Sequence, residues 1–402
     1  MTTKVVHRGD TRVEAAMDLR QLSNCRRIAL LLGGTFDPSG GMYEYGKAWH
    51  RQLSDTGWMV TLFASKSIAE DSDAEDAEVV IETGSQKYSY SQLALGSFWR
   101  SSYWKRFITR IIDGVRKNNI GIVHIVDRPV YAASIAAALR NAFPELLIVS
   151  TIHDPAWHQE HISLLGALLK YWDDQRLIWL SKHRTLWLHV HNRLLTKGTG
   201  FDGSERIVEM PHPRPLPQAK RTRRTLHDRY SESQENAYPI VFGFVGRIEP
   251  YKGLNILLKA LVQLVAVRPD YLSRFSLIIA GRSRSRIEVP DSLRQRVQVR
   301  DDFLCDKDFH QLVANLDFLV LPYVSGTASG VGMLGLTYGL PIVASDVGLL
   351  PSLVTQDITG LIFRSGDAGD LQAQLEKILV NLKLADRLST GARAVRYTAR
   401  AM

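Results

Sequence analysis

Cysteine is scarce. Cys25 and Cys305 are the only two in 402 residues, and they lie far apart without metal-type spacing. That excludes a disulfide framework and makes the reducing cytoplasm the expected compartment. Nowhere does the chain reach the roughly 18 consecutive apolar residues of a membrane-spanning helix. The stretch from Met1 to Asn24 carries charges throughout and lacks the apolar centre of a secretory signal. Metal-ligand spacing is also missing; His153, His158 and His161 come nearest and make no convincing set. Negative charge is the minority sign, with a formal net charge of +9 and a pI near 9.5. Such a chain suits anionic company: nucleic acid, an anionic membrane surface or a phosphorylated substrate. Neither an aromatic–basic platform nor a helix-turn-helix signature is present, so nucleic acid is set aside.

The length predicts roughly two to three domains, and the apolar runs give them an α/β rhythm. Arg27 to Leu32 reads as a buried strand, followed by the glycine-rich loop Gly33 to Gly41 and a helix with Tyr45, Trp49 and Leu53 on one face. Trp58 to Phe63 is the next strand, completing a Rossmann-like opening. The loop lacks the dinucleotide fingerprint, so NAD is not indicated. Gly40 and Gly41 either let backbone amides approach a phosphate or simply make a tight turn. The acidic stretch Ala69 to Glu82 lacks calcium-loop spacing and reads as a solvated loop. Phe98 to Ile112 mixes aromatics with Arg100, Lys105, Arg106 and Arg110; it is either a helix lying on an anionic membrane or a surface helix packed on a sheet. Ile120 to Val126 and Leu146 to Ile152 are further strands, with an alanine-rich helix, Ala132 to Asn141, between them. His153 follows the second of these, either as a site residue or as a histidine bonded to the backbone. Leu164 to Arg184 is a long amphipathic stretch, and Leu186 to His191 another strand.

Prolines crowd Met210 to Pro217, which therefore continues neither a helix nor a central strand, and a basic polar segment follows. The rhythm then restarts. Val241 to Gly246 is a strand, Arg247 to Lys252 a loop with two cations, and Gly253 opens an apolar-periodic helix. Such a loop leaves the carboxyl end of its strand, where open α/β sheets place ligands. Arg247 suits bidentate pairing with phosphate and Lys252 acts as a point charge; the alternative is two solvated loop cations. Phe275 to Ala280 is a strand ending at Gly281, and an arginine-rich segment follows it. Leu316 to Leu321 is the next, and it leads into the small-residue loop with Thr327, Ser329, Gly330 and Val331. Free amides at the start of the following helix, which continues through Met333 to Tyr338, make an anion site, and Pro341 to Ser345 is a further strand. A hydrolase elbow is not met, because position 327 is Thr where glycine is needed.

Gly246-Arg-Ile-Glu-Pro-Tyr-Lys-Gly253, Gly281, and Pro322-Tyr through Thr327-Ala-Ser-Gly-Val331 to Gly339-Leu-Pro-Ile-Val-Ala-Ser345 resemble glycosyltransferase family 4. Gly40-Gly41, His153-Asp154 and Pro211-His212 fit the same family more loosely. The resemblance implies the GT-B fold, an α/β architecture of two Rossmann-like domains facing across a cleft. It divides the chain into a polar tail (1–25), an acceptor domain (26–212), a linker (213–239) and a nucleotide-sugar-binding domain (240–402). By position, Arg247 and Lys252 would hold the donor diphosphate and stabilise the leaving nucleotide, and Ser329, Gly330 and Val331 would add amides. Gly40, Gly41, Gly281 and Thr327 complete the implied donor site, and His153 would sit near the transferred sugar or the acceptor hydroxyl.

The family implies a hexosyltransferase that retains the anomeric configuration and uses no metal or other cofactor. Its donor would be a nucleoside-diphosphate sugar and its acceptor a glycan or polyprenyl-linked lipid, at the inner face of a membrane in bacterial-type polysaccharide or glycolipid assembly. Two departures stand out. The paired glutamates typical of the family, eight residues apart, are here Gly326 and Leu334. Their loss points to a subgroup built without those acids or, alternatively, to a non-catalytic GT-B protein serving as a nucleotide- or partner-binding scaffold. The chain also ends soon after Leu388 to Arg400, where relatives often continue into a helix crossing back to the first domain. Shortening it would loosen the domain pairing or leave that contact to another subunit.

Overall fold

The computed structural model describes residues 26–32, 41–64, 79–82, 101–126, 131–153, 164–183 and 186–398, apart from 202, 214, 216, 223–225, 227, 229–238, 284, 303 and 327. The chain divides into two compact units, Met1–Thr151 with Leu165–His189, and Ile152–Leu164 with Val190–Met402.

The first sheet has seven strands: β1 (Arg27–Leu31), β2 (Met59–Ala64), β3 (Val79–Glu82), β4 (Ile122–Ile125), β5 (Leu147–Thr151), β6 (Trp187–Val190) and β7 (Ile207–Glu209). They are ordered β3-β2-β1-β4-β5-β6-β7. Its helices are α1 (Gly41–Asp55), α2 (Ser102–Lys117), α3 (Ala132–Ala142) and α4 (Leu164–Lys182). β1 lies parallel between β2 and β4, with Ile28 opposite both Val60 and Ile122. Helices cover both faces of such a sheet, which is why its central strands are near-continuous apolar runs. Right-handed crossovers put α1 on one face and α2, α3 and α4 on the other. Tyr131, just before α3, packs edge-on against Trp104 of α2 at 5.7 Å. On its other side Asp173 of α4 accepts a 3.1 Å hydrogen bond from Ala133 N of α3.

The second sheet has six strands: β8 (Ile240–Val245), β9 (Phe275–Ala280), β10 (Val297–Arg300), β11 (Phe318–Leu321), β12 (Ile342–Ser345) and β13 (Gly360–Phe363). They are ordered β10-β9-β8-β11-β12-β13. Its helices are α5 (Leu254–Val267), α6 (Asp306–Ala314), α7 (Gly330–Tyr338), α8 (Ala368–Val380) and α9 (Leu382–Thr398). β8 is buried along its whole length. One face of the sheet packs Phe242, Leu261, Leu277 and Leu375 into a single core, and the other packs Val245, Leu319, Leu334 and Ile342. Asp317, wholly buried, fastens the entry to β8: one carboxylate oxygen accepts from Val241 N at 2.9 Å, the other from Arg221 at 2.9 Å. Strand order reverses between β8 and β11, so the loops leaving their carboxyl ends splay apart and open a crevice.

Four strands escape the sequence reading. β3 emerges from the acidic stretch read as a solvated loop, because Val79-Val-Ile81 is a β-branched run at its end. β10 lies inside the arginine-rich segment; it is an edge strand whose outward residues are mostly exposed, so it lacks an apolar signature. β7 and β13 are three and four residues long, too short for periodicity to show. The basic helix begins at Ser102 rather than Phe98, with Ser101 accepting from Trp104 N at 3.1 Å as its cap. Phe98 and Arg100 lie outside the described residues.

Candidate functional site

The loops leaving β8 and β11 meet at the point where strand order reverses. β8 ends at Gly246, whose φ is 95°; its N–H donates to Ala280 O at 2.9 Å. Ile248 N then pairs with Arg282 O at 3.0 Å, so the loop runs beside the chain leaving β9. Gly281 has φ 134°, and a Cβ there would stand 2.2 Å from Gly246 O. Beyond, Pro250–Lys252 forms a single 3-10 turn, and Gly253 (φ 71°) redirects the chain into α5. A Cβ on Gly253 would stand 1.9 Å from Pro322 O in the β11 loop. A 2.8 Å bond from Val324 N to Tyr251 O ties the same two loops together. Only glycine permits that approach in that backbone conformation.

This packing buries Lys252 to 8% exposure. Its Nζ lies 3.7 Å from where a Cβ on Gly246 would stand and 5.8 Å from the centre of the Tyr323 ring. Burial, and after it the positive charge of Arg247, lower the ammonium pKa to about 8 against the opposing pull of Glu249. Arg247 itself is exposed. A buried ammonium beside a second cation is an electrostatic deficit that a bound anion would fill.

Ser329 caps α7 by accepting from Gly332 N at 3.0 Å. Its hydroxyl also bonds Tyr323 OH at 3.1 Å, and burial pushes the Tyr323 phenol up, keeping it protonated. The Ser329 side chain is therefore committed to positioning, and what it offers outward is backbone. Gly330 and Val331 begin the helix, where N–H groups have no intrahelical partner. A Cβ on Gly330 would meet nothing within 4 Å. α7 carries no acid in its first turn, so its dipole is unopposed there. Val331 touches the Gly246 turn, its Cγ2 being 2.8 Å from a Cβ built there. Leu334 is buried in the core, and Gly326 (φ 141°) is half-buried on the loop.

Of the residues singled out from sequence, Arg247, Lys252, Gly281, Ser329, Gly330 and Val331 thus share one neighbourhood in the second unit. Gly41 is the first residue of α1 in the first unit. Gly40 and Thr327 lie outside the described residues. His153 belongs to a separate row of histidines that follow β5, β6 and β7. His153 Nδ1 and His191 Nε2 are 3.4 Å apart, and the rings of His191 and His212 are 5.0 Å apart. His191 Nδ1 lies 3.4 Å from Met210 O, which only accepts. His212 Nδ1 donates to Pro213 O at 2.8 Å, and burial lowers its pKa to about 4, with His153 adding to the shift. His191 was missed from sequence, although it follows its strand as His153 does. Among the described residues no group of three His, Cys, Asp or Glu can hold a metal ion.

A further polar row, His124–Thr151–His189, crosses β4, β5 and β6 in the first unit. Its bonds are 2.7 and 2.9 Å, and Trp49 covers it at 5.5 Å from His189. Fully buried and mutually satisfied, it holds strands rather than ligand. An open cavity of about 550 Å³ lined by Val241, Ser276 and Val297 lies at the amino ends of β8, β9 and β10, the edge of the sheet opposite the cationic loop.

The Lys252 shift gives a signed pH dependence. The folded value is depressed below the ordinary 10.5, so between about 8 and 10.5 the unfolded chain holds the proton and the folded one does not. Stability of the ligand-free protein therefore rises with pH across that window. A diphosphate bound beside Lys252 would reverse the shift, so its binding above about pH 8 should be weaker and should take up a proton. Titration calorimetry in two buffers of different ionisation enthalpy reads that uptake; none near pH 9 would show that Lys252 does not face the anion.

Comparisons with known proteins bear on the family and the fold. Residues 239–381 match the family model described as Glycosyl transferases group 1. The D-inositol 3-phosphate glycosyltransferase of Stackebrandtia nassauensis is 29% identical over 170 residues, covering 40% of this chain and 38% of that one. The same-named protein of Saccharomonospora viridis is 31% identical over 163 residues, 38% of each chain. The chain thus spans well under half the length of these curated relatives. Over the whole fold, Anabaena HepE in complex with UDP superposes with a TM-score of 0.59 at 15% identity, covering 92% of this chain and 94% of that one. Sucrose-phosphate synthase from Thermosynechococcus elongatus superposes with a TM-score of 0.64 at 18% identity, with the same coverage. Two doubly wound parallel sheets with this topology are the GT-B fold, and residues 239–381 are similar to the glycosyl transferases group 1.

Proposed function

We propose that this chain transfers a hexosyl group from a nucleoside-diphosphate sugar to a glycan or lipid-linked acceptor. The observation that carries the reading is Lys252, buried with its charge under-compensated at the strand-order reversal, beside Arg247 and the open N-terminus of α7. Diphosphate charge grows as the glycosidic bond breaks, and fixed cations and amides there stabilise the leaving nucleotide most when it is most charged. UDP bound to HepE supports a nucleotide-sugar donor. The reading includes retention at the anomeric carbon and no metal ion, since the cations and amides meet the diphosphate directly. His153, in the histidine row that follows β5, is assigned to the sugar or acceptor hydroxyl. The setting is polysaccharide or glycolipid assembly on the cytoplasmic face of a membrane; among the described residues no helix is long and apolar enough to cross one.

Gly326 and Leu334 favour a second reading, a non-catalytic protein that binds nucleotide or a partner. Incubation with a panel of nucleoside-diphosphate sugars and lipid extract separates the two. Release of free nucleotide from one donor supports transfer. Nucleotide binding without release from any donor overturns it and leaves the scaffold.

A further inference from the structure

The sequence reads helix α4 as amphipathic, a pattern that packs apolar side chains inward and leaves polar ones outside. Its inner face obeys: Leu177 and Ile178 pack inward, and Ser181 donates to Ile178 O at 2.8 Å. Its outer face does not. Leu164, Leu168, Tyr171, Trp172 and Trp179 are 80, 51, 53, 67 and 56% exposed. At about 3.6 residues per turn these five fall within a stripe roughly 100° wide. From Leu164 to Trp179 the stripe runs about 22 Å along the helix, and an exposed apolar stripe of that extent marks an interaction surface.

Charge on the same helix identifies the partner. Both carboxylates, Asp173 and Asp174, are buried at 4 and 5% exposure. Asp173 accepts from Ala133 N, and Asp174 takes Lys170 at 3.3 Å. The charges left at the surface are cationic, Arg176 and Lys182. α2, on the same face of the sheet with α3 between them, turns Phe107, Ile111 and Val115 inward and leaves Lys105, Arg106 and Arg110 exposed. Of the two readings its sequence left open, α2 thus follows the helix packed on a sheet, with its charge outward, while α4 supplies an exposed apolar surface. Trp and Tyr prefer the water–bilayer interface, and lysines and arginines beside them are drawn to anionic headgroups.

We propose that the outer face of α4 docks on an anionic lipid bilayer, its tryptophan stripe entering the headgroup region and Arg176 and Lys182 meeting lipid phosphates. This deepens the assignment of a lipid-linked acceptor by naming the surface that meets the lipid, and it is tested without donor or acceptor.

Full-length wild type and the double variant Trp172→Ser/Trp179→Ser are sedimented with vesicles of phosphatidylcholine alone and with phosphatidylglycerol added. Wild type should partition onto the anionic vesicles, and the double variant at least ten-fold less. Both tryptophans are exposed, so the variant should keep its unfolding temperature and its stabilisation by nucleotide. A second variant, Leu168→Glu, should lose binding to the same degree. Brominated lipid should quench wild-type tryptophan fluorescence more than that of the double variant. Unchanged partitioning of both variants overturns the proposal. So does a wild-type dimer that the double variant converts to monomer, since a second copy would then cover the stripe. Loss of nucleotide stabilisation in wild type with vesicle binding intact contradicts the donor reading and leaves the docking surface standing.

Discussion

Replacing Lys252 by alanine is expected to lower the rate of nucleotide-sugar turnover by about 10²–10³-fold while leaving the empty protein as stable as before, or more so. Both halves follow from the same geometry. A buried ammonium with a depressed pKa is held at a cost to the ligand-free fold, and truncation removes that cost. A lysine kept only for packing would behave oppositely, since alanine would leave a cavity and lower the unfolding midpoint. Arginine at the same position is expected not to rescue. The pocket between the Gly246 turn and the Tyr323 ring fits a narrow stem and a compact charge, and a planar guanidinium there would force the loops apart. The decisive result is the pair of readings taken together: activity lost, midpoint retained or raised.

Gly253→Ala should have the largest structural effect of any single methyl addition at the site. The new Cβ would lie 1.9 Å from a backbone oxygen, which cannot swing aside as a side chain does, and the residue would have to hold φ 71°. The left-handed conformation alone is unfavourable by roughly 1–2 kcal/mol for a residue with a side chain. Relieving the clash then separates the Tyr251 and Val324 strands of the loop pair. We expect a total destabilisation of about 3 kcal/mol or more, with nucleotide stabilisation lost because Lys252 and the α7 terminus no longer converge. Gly330→Ala is the contrast. Its Cβ meets no protein atom within 4 Å, so urea unfolding should match wild type, and only nucleotide affinity should fall. Equal unfolding midpoints for Gly253→Ala and wild type would show that the two loops are not locked together as described.

The cationic loop was legible in sequence because several local signals coincide there: an apolar strand, a cation, a Pro-containing turn, a second cation and a glycine opening an amphipathic helix. Each constrains the backbone independently, and together they leave one arrangement. The start of α7 was legible for a similar reason, although the role of the Ser329 hydroxyl was not. Its commitment to Gly332 N and Tyr323 OH depends on a tyrosine six residues earlier, folded back by the turn. The histidine row was half visible. His153 stands out by its place after a strand, but the bond to His191 joins positions 38 residues apart, which only the parallel pairing of β5 and β6 brings together. β10 was hidden because an exposed edge strand carries arginines where a central strand would carry valines. α4 misleads in the other direction. Its pattern reads as an amphipathic helix, yet its outward face carries Leu168, Trp172 and Trp179 while Asp173 and Asp174 are buried, since burial is decided by neighbours.

The account rests most directly on a nucleoside diphosphate at Lys252. Thermal unfolding of wild type and Lys252→Ala in the presence of UDP, GDP, ADP and single-stranded DNA measures that alone, without knowledge of the acceptor. At 100 times its dissociation constant a ligand should add about 2.7 kcal/mol of stability. One nucleotide should stabilise wild type by that order and leave Lys252→Ala unmoved, which would also name the base of the donor. Equal stabilisation of both proteins, or no shift with any nucleotide, would contradict the site.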